Sequence, residues 1–175
     1  MAVVKNIAEL NEEELKKFKE FYVTYFRKEY VESNVKHPHL CKINLYLMAR
    51  RYAEIVVGDI KAGHTTGFAS FDFDFETKRD GIALVPSGLI IGYDTGEGTN
   101  NLMHLFVARE PQSYPRLIIL RDLFASYSEV AKNNGSFYVQ TSSDLFDPRL
   151  TSDLNALSFD RVCTDGTEEV YKKSI

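Results

Sequence analysis

"HLFVAREPQSYPRLIIL", His104–Leu120, begins as an apolar strand, crosses a polar loop holding Pro111 and Pro115, and resumes as an apolar helix. The first backbone N–H groups of a helix have no internal partner, so a strand–loop–helix junction of this kind is a ready anion site. This one lacks the glycines that let a phosphate approach the backbone. Two readings therefore stand side by side. The loop holds a phosphate, or it is a turn in which Ser113 caps the helix and Pro115 fills its first turn.

Downstream, Leu117, Ile118, Leu120, Leu123, Phe124, Tyr127 and Val130 fit a long buried helix from Pro115 to about Lys132, ended by Gly135. Upstream, "SGLIIGYD" and "NLMHLFVARE" read as strands joined by the turn "TGEGTNN", with His104 on the same face as Leu102 and Phe106. Before them "HTTGFASFDFDFE" alternates from Phe71 to Glu76, which puts phenylalanines on one face and Asp72, Asp74 and Glu76 on a solvent face. Val3–Ile7 forms a short strand. Asn11 and Glu14 then cap a helix whose stripe is Leu15, Phe18, Tyr22, Tyr25 and Phe26. "VESNVKHPHL" breaks that helix, and a second runs from about Leu40 to Ala53 through Ile43, Leu47 and Met48. "SFYVQTSS" is a further strand, Asp147–Pro148 opens a short helix to about Leu157, and the chain closes in a hairpin turned on Asp165–Gly166. The order predicts an α/β fold of the α+β type. One domain spanning 1–175 holds a mixed, mostly antiparallel sheet of about six to seven strands, with helices on both faces.

Composition narrows the function. A net charge of −4 opposes a nonspecific grip on nucleic acid or anionic lipid, and the basic residues Lys16, Lys17, Lys19, Arg27, Lys28, Arg50 and Arg51 are diluted by Glu12, Glu13, Glu14, Glu20 and Glu29. No apolar run approaches the roughly 20 residues of a membrane span. Cys41 and Cys163 stand far apart and read as reduced thiols of a cytoplasmic protein. His37, His39, His64 and His104 show no zinc spacing beyond the His37–His39 pair, so no metal is expected. Gly-x-Ser-x-Gly, Walker and dinucleotide-binding glycine motifs are absent.

The element order, together with "GFASFDF", "LMHLFVARE" and "LNALSFDRV", resembles the GNAT superfamily of acyl-CoA-dependent N-acyltransferases over essentially the whole chain. The resemblance implies a GNAT-like fold. It implies transfer of an acyl group from acetyl-CoA or a related acyl-CoA to an amine on a small molecule or a protein, with a homodimer as one assembly open to it. In that family the loop after the fourth strand carries Gln/Arg-x-x-Gly-x-Gly/Ala and binds the pyrophosphate. Here Gln112 takes the first position, while Pro115 and Leu117 stand where small residues are usual. The implied cofactor contacts are Arg109, Gln112, Ser113, Tyr114 and Arg116 at the pyrophosphate, with Phe106 and Val107 as backbone partners of the thioester arm. His104 and Glu110 are the candidate bases; an imidazole titrates near working pH. The family's tyrosine acid on the last helix has no counterpart in "SDLNALSF", where Ser158 also replaces the usual glycine, and Tyr127 or Tyr138 would have to substitute. A catalytically inactive binding module of the same fold is the alternative.

Overall fold

The computed structural model describes residues 3–36, 45–74, 83–108, 115–144, 148–165 and 168–175. Seven strands form one sheet: β1 (Val3–Asn6), β2 (Thr66–Asp74), β3 (Ala83–Asp94), β4 (Thr99–Val107), β5 (Tyr138–Asp144), β6 (Asp160–Asp165) and β7 (Glu168–Ser174). Their order across the sheet is β1-β2-β3-β4-β5-β7-β6. Every neighbouring pair is antiparallel except β4 and β5, which run parallel. The long helix α3 (Arg116–Asn133) makes the crossover between those two, and α4 (Pro148–Ala156) follows β5. Helices α1 (Glu12–Lys36) and α2 (Leu45–Lys61) cover the other face.

The start of α1 is fixed reciprocally. Asn11 Oδ1 accepts the Glu14 N–H at 2.9 Å, and the Glu14 carboxylate accepts the Asn11 N–H at 3.3 Å. Lys5 of β1 holds the same carboxylate at 2.5 Å, and with Asn11 it draws the Glu14 pKa below the usual range. The expected stripe faces the sheet, with Phe18, Tyr22, Tyr25 and Phe26 buried. The helix outlasts its expected break and ends at Lys36, because "VESNVK" holds no glycine or proline and the first helix breaker in that stretch is Pro38. Helix α2 differs more. It runs to Lys61 and buries Ala49, Ala53, Val56, Val57 and Ile60, leaving Leu47 on its outer side. The part of that expectation before Leu45 lies outside the described residues.

The sheet separates two apolar cores. Ala69, Phe71, Leu89, Ile91 and Phe106 point toward α1 and α2, whereas Phe68, Ile90, Leu102, Leu105, Val107 and Val139 point toward α3 and α4. Covering both faces overturns one expectation: Asp72 is no solvent-face residue but is buried within the sheet, while Asp74 and Glu76 fall outside what is described of side chains. Another correction concerns α3. Leu117 and Ile118 are exposed and Ile119, Leu120, Leu123, Phe124 and Tyr127 are buried, since four consecutive apolar residues at about 100° each cannot share one helix face. Gly135 closes α3 with φ +88°, and its left-handed backbone needs no side chain to accommodate.

Candidate functional site

The site is an opening in the sheet. β4 and β5 are in register over three pairs, Thr99–Tyr138, Asn100–Val139 and Asn101–Gln140, and then part. At the parting, Thr141 Oγ1 donates to the Leu102 carbonyl at 3.0 Å, a side chain taking over where the ladder stops. One residue later β4 carries a bulge. Ile91 faces His104 and Gly92 faces Leu102, so Met103 is an extra residue without a partner on β3. Side chains alternate along a strand, and the insertion breaks that alternation. Leu102 therefore belongs to the α3 face, while His104 and Phe106 belong to the α1 face. The expected grouping of the three on one face holds only for His104 and Phe106.

Beyond the bulge, Ala108 N–H donates to the Ser87 carbonyl at 2.8 Å. In an antiparallel ladder residues turn their N–H and C=O alternately to the two sides, so those of Val107 and Leu105 are directed away from β3, into the opening. This is the segment from which backbone partners for a thioester arm were expected; in it the N–H and C=O of Val107 face the opening, while those of Phe106 face β3.

His104 is enclosed by α1. Its Nε2 lies 3.2 Å from the Tyr22 hydroxyl, and both Tyr22 and Tyr25 meet its ring edge-on at 5.7 and 6.1 Å. Burial lowers its pKa to about 4, so the imidazole is neutral at physiological pH. The Phe106 ring packs on Tyr25 at 4.3 Å and on Phe21 at 5.6 Å. Tyr127 is fully buried and its hydroxyl bonds Asn100; burial, with Asp94 nearby, raises its pKa far above that of a free phenol. Gly92 makes the room, because a Cβ there would lie 2.0 Å from that hydroxyl. Tyr138 is half-exposed on the other side of the sheet, with Lys172 Nζ 4.1 Å above its ring.

The helix end that was expected to hold phosphate begins at Pro115, which contributes no side-chain cap. Arg109, Glu110, Gln112, Ser113 and Tyr114 lie outside the described residues. Arg116 does not stand free beside that helix end. Its guanidinium grips the buried Asp153 carboxylate of α4 through both nitrogens. The second arginine at the site is one that sequence reasoning missed: Arg149 in the first turn of α4 donates to the Val107 carbonyl and lies 5.0 Å above the Phe106 ring. Its sequence signal is weak, a cation just after the helix-opening proline in "DPRL". The bulge at Met103 left no trace in the alternation at all. Among the described residues no three His, Cys, Asp or Glu side chains converge, and no helix is long and apolar enough to cross a membrane.

No family model and no curated protein sequence matches the chain. Solved structures match closely in shape. The PaiA N-acetyltransferase of Thermoplasma acidophilum, determined in complex with coenzyme A, has a TM-score of 0.66 at 14% identity, covering 100% of this chain and 99% of that one. A Desulfovibrio desulfuricans protein assigned to the GNAT family gives 0.65 at 11% identity, over 99% of each chain. An aminoglycoside 6'-acetyltransferase type Ii gives 0.64 at 13% identity, over 98% of this chain and 96% of its own. At such identities the likeness is one of fold: the chain has the GNAT acyl-CoA N-acyltransferase fold.

Proposed function

We propose that the protein is an acyl-CoA-dependent N-acyltransferase, with acetyl-CoA or a related acyl-CoA as donor and an amine as acceptor. The observation that carries this reading is the opening between β4 and β5, into which Val107 turns its backbone N–H and C=O. An extended arm entering there continues the sheet as a short strand and presents its thioester carbonyl to β4. The amine nitrogen attacks that carbonyl, the C–N bond forms, the C–S bond breaks, and the sulfur departs as a thiolate, which a thiol pKa near 8.5 makes a fair leaving group. The proton leaving nitrogen goes to His104 or Glu110. Gln112, Ser113, Tyr114 and Arg109 are the proposed pyrophosphate contacts; the Arg116 side chain, engaged by Asp153, assists only with its backbone.

Acetyl-CoA at about 100 times its dissociation constant stabilises a protein by about 2.7 kcal/mol, which for a chain of this size is a rise in Tm of roughly 5–10 °C. Absence of both that shift and a calorimetric signal would overturn the proposal. With binding in hand, His104→Gln and Glu110→Gln are compared over pH. If His104 is the base, its own protonation does not limit turnover until the pH approaches about 4, and His104→Gln loses turnover where Glu110→Gln keeps it. A second reading, a binding module that retains the fold without turnover, draws on Arg149 filling the opening and on Pro115 and Leu117 in place of small residues. Binding of acetyl-CoA with no thiol released in the presence of amines would favour it.

A further inference from the structure

Arg149 starts on α4, on the α3 side of the sheet, yet its guanidinium ends over Phe106, whose ring belongs to the α1 side. The side chain reaches through the opening where β4 and β5 have parted. On its way it donates to the Val107 carbonyl, one of the backbone groups that the parting leaves without a strand partner. The two contacts complement each other: an N–H of the guanidinium satisfies the carbonyl while the cation lies 5.0 Å above the aromatic ring. Arg149 supplies to β4 what a neighbouring strand would have supplied, a donor for the Val107 carbonyl.

We propose that Arg149 is the specificity-determining gate of this opening, a stand-in donor that must release Val107 before a thioester-bearing arm can enter. The inference rests on the acyltransferase reading and adds to it. Entry is a competition for a single carbonyl. An arm that offers its own amide N–H in an extended conformation can replace the arginine; a chain without such a donor leaves the carbonyl unsatisfied and is rejected. Apparent affinity is the intrinsic affinity scaled by the fraction of molecules with the gate withdrawn. Once displaced, the guanidinium remains a cation at the mouth of the opening, where it attracts the phosphates of the same ligand. Gate and attraction oppose each other, and salt separates them: at 1 M ionic strength the screening length is about 3 Å, so the attraction fades while the gate remains.

The test is titration of acetyl-CoA into the wild type, Arg149→Leu and Arg149→Lys in 1 M salt, with melting curves to establish that each variant is folded. Arg149→Leu retains apolar bulk over Phe106 but has no donor, and is expected to bind about tenfold more tightly than the wild type; Arg149→Lys, with a point donor in place of a fork, falls between them and carries the comparison if the leucine variant does not fold. Lowering the salt reduces the advantage of Arg149→Leu. Binding to the leucine variant alone, with none to the wild type, overturns the gate together with the acyltransferase reading, since an arginine that never withdraws is a plug and not a gate. Equal or weaker binding by the variants while the wild type binds overturns the gate and leaves the acyltransferase reading standing. Binding by none of the folded proteins overturns both.

Discussion

Ser158 holds a φ of +60°, the only non-glycine among the described residues on the left-handed side. It sits where α4 terminates: Phe159 N–H reaches back to the Leu154 carbonyl at 3.0 Å and Ser158 N–H to Asn155 at 2.9 Å, a closure that needs a left-handed residue. A side chain there costs about 1 kcal/mol, offset in part by the greater freedom of glycine in the unfolded chain. Ser158→Gly is therefore expected to stabilise by about 0.5–1 kcal/mol, read from the urea midpoint; an unchanged midpoint would mean the strain is relieved elsewhere. His104 sets a second expectation. Its folded pKa of about 4 lies below the unfolded value near 6.5, so the unfolded chain takes up the proton first as the pH falls. The stability contributed by keeping this ring neutral is complete above about pH 6.5 and drains away between 6.5 and 4, reaching a loss of about 2 kcal/mol at pH 5. His104→Gln, which cannot titrate, should lack that part of the loss when denaturant midpoints at pH 7 and pH 5 are compared.

Among the elements, α4 carries more of the site than its nine residues suggest. It is held twice, by the Arg116–Asp153 pair to the start of α3 and by Arg149 to the end of β4. The two partners of the pair are unequal: the Asp153 side chain is 4% exposed and that of Arg116 28%. Arg116→Leu strands a carboxylate in the interior, whereas Asp153→Leu leaves a guanidinium that can still reach water. The first change is expected to cost about 3 kcal/mol and the second clearly less, by equilibrium unfolding. The elements that the sequence announced are those with local causes. The capping pair at Asn11, the alternation of β2 and the turn at Gly135 each act within a few residues, and each element formed where its local pattern pointed. The apolar face of α2 beyond Ala53, the burial of Asp72 and the engagement of Arg116 depend on what packs against them from 30 or more positions away. Patterns of neighbouring residues carry no record of such partners.

At the scale of the molecule, the sheet is two antiparallel blocks, β1 to β4 and β5 to β6, hinged on three parallel pairs. The order of strands and helices was legible enough to reveal this plan, and the site that lies at the hinge was legible only as a location. What stands in the opening came from α4, and which side of the sheet each residue of β4 faces came from a single unpaired position. That position separates two kinds of inherited change. Met103 is 41% exposed, so its identity is nearly free, and Met103→Gln should alter stability by no more than about 0.5 kcal/mol. Its presence is another matter. Deleting it restores unbroken alternation and turns Thr99–Leu102 over, driving Leu102 out of one core and pulling Asn100 away from the Tyr127 hydroxyl; the deletion variant should fail to give a cooperative melt. Descendants of this sequence can spell residue 103 almost as they please, but they cannot omit it without rewriting the four letters before it.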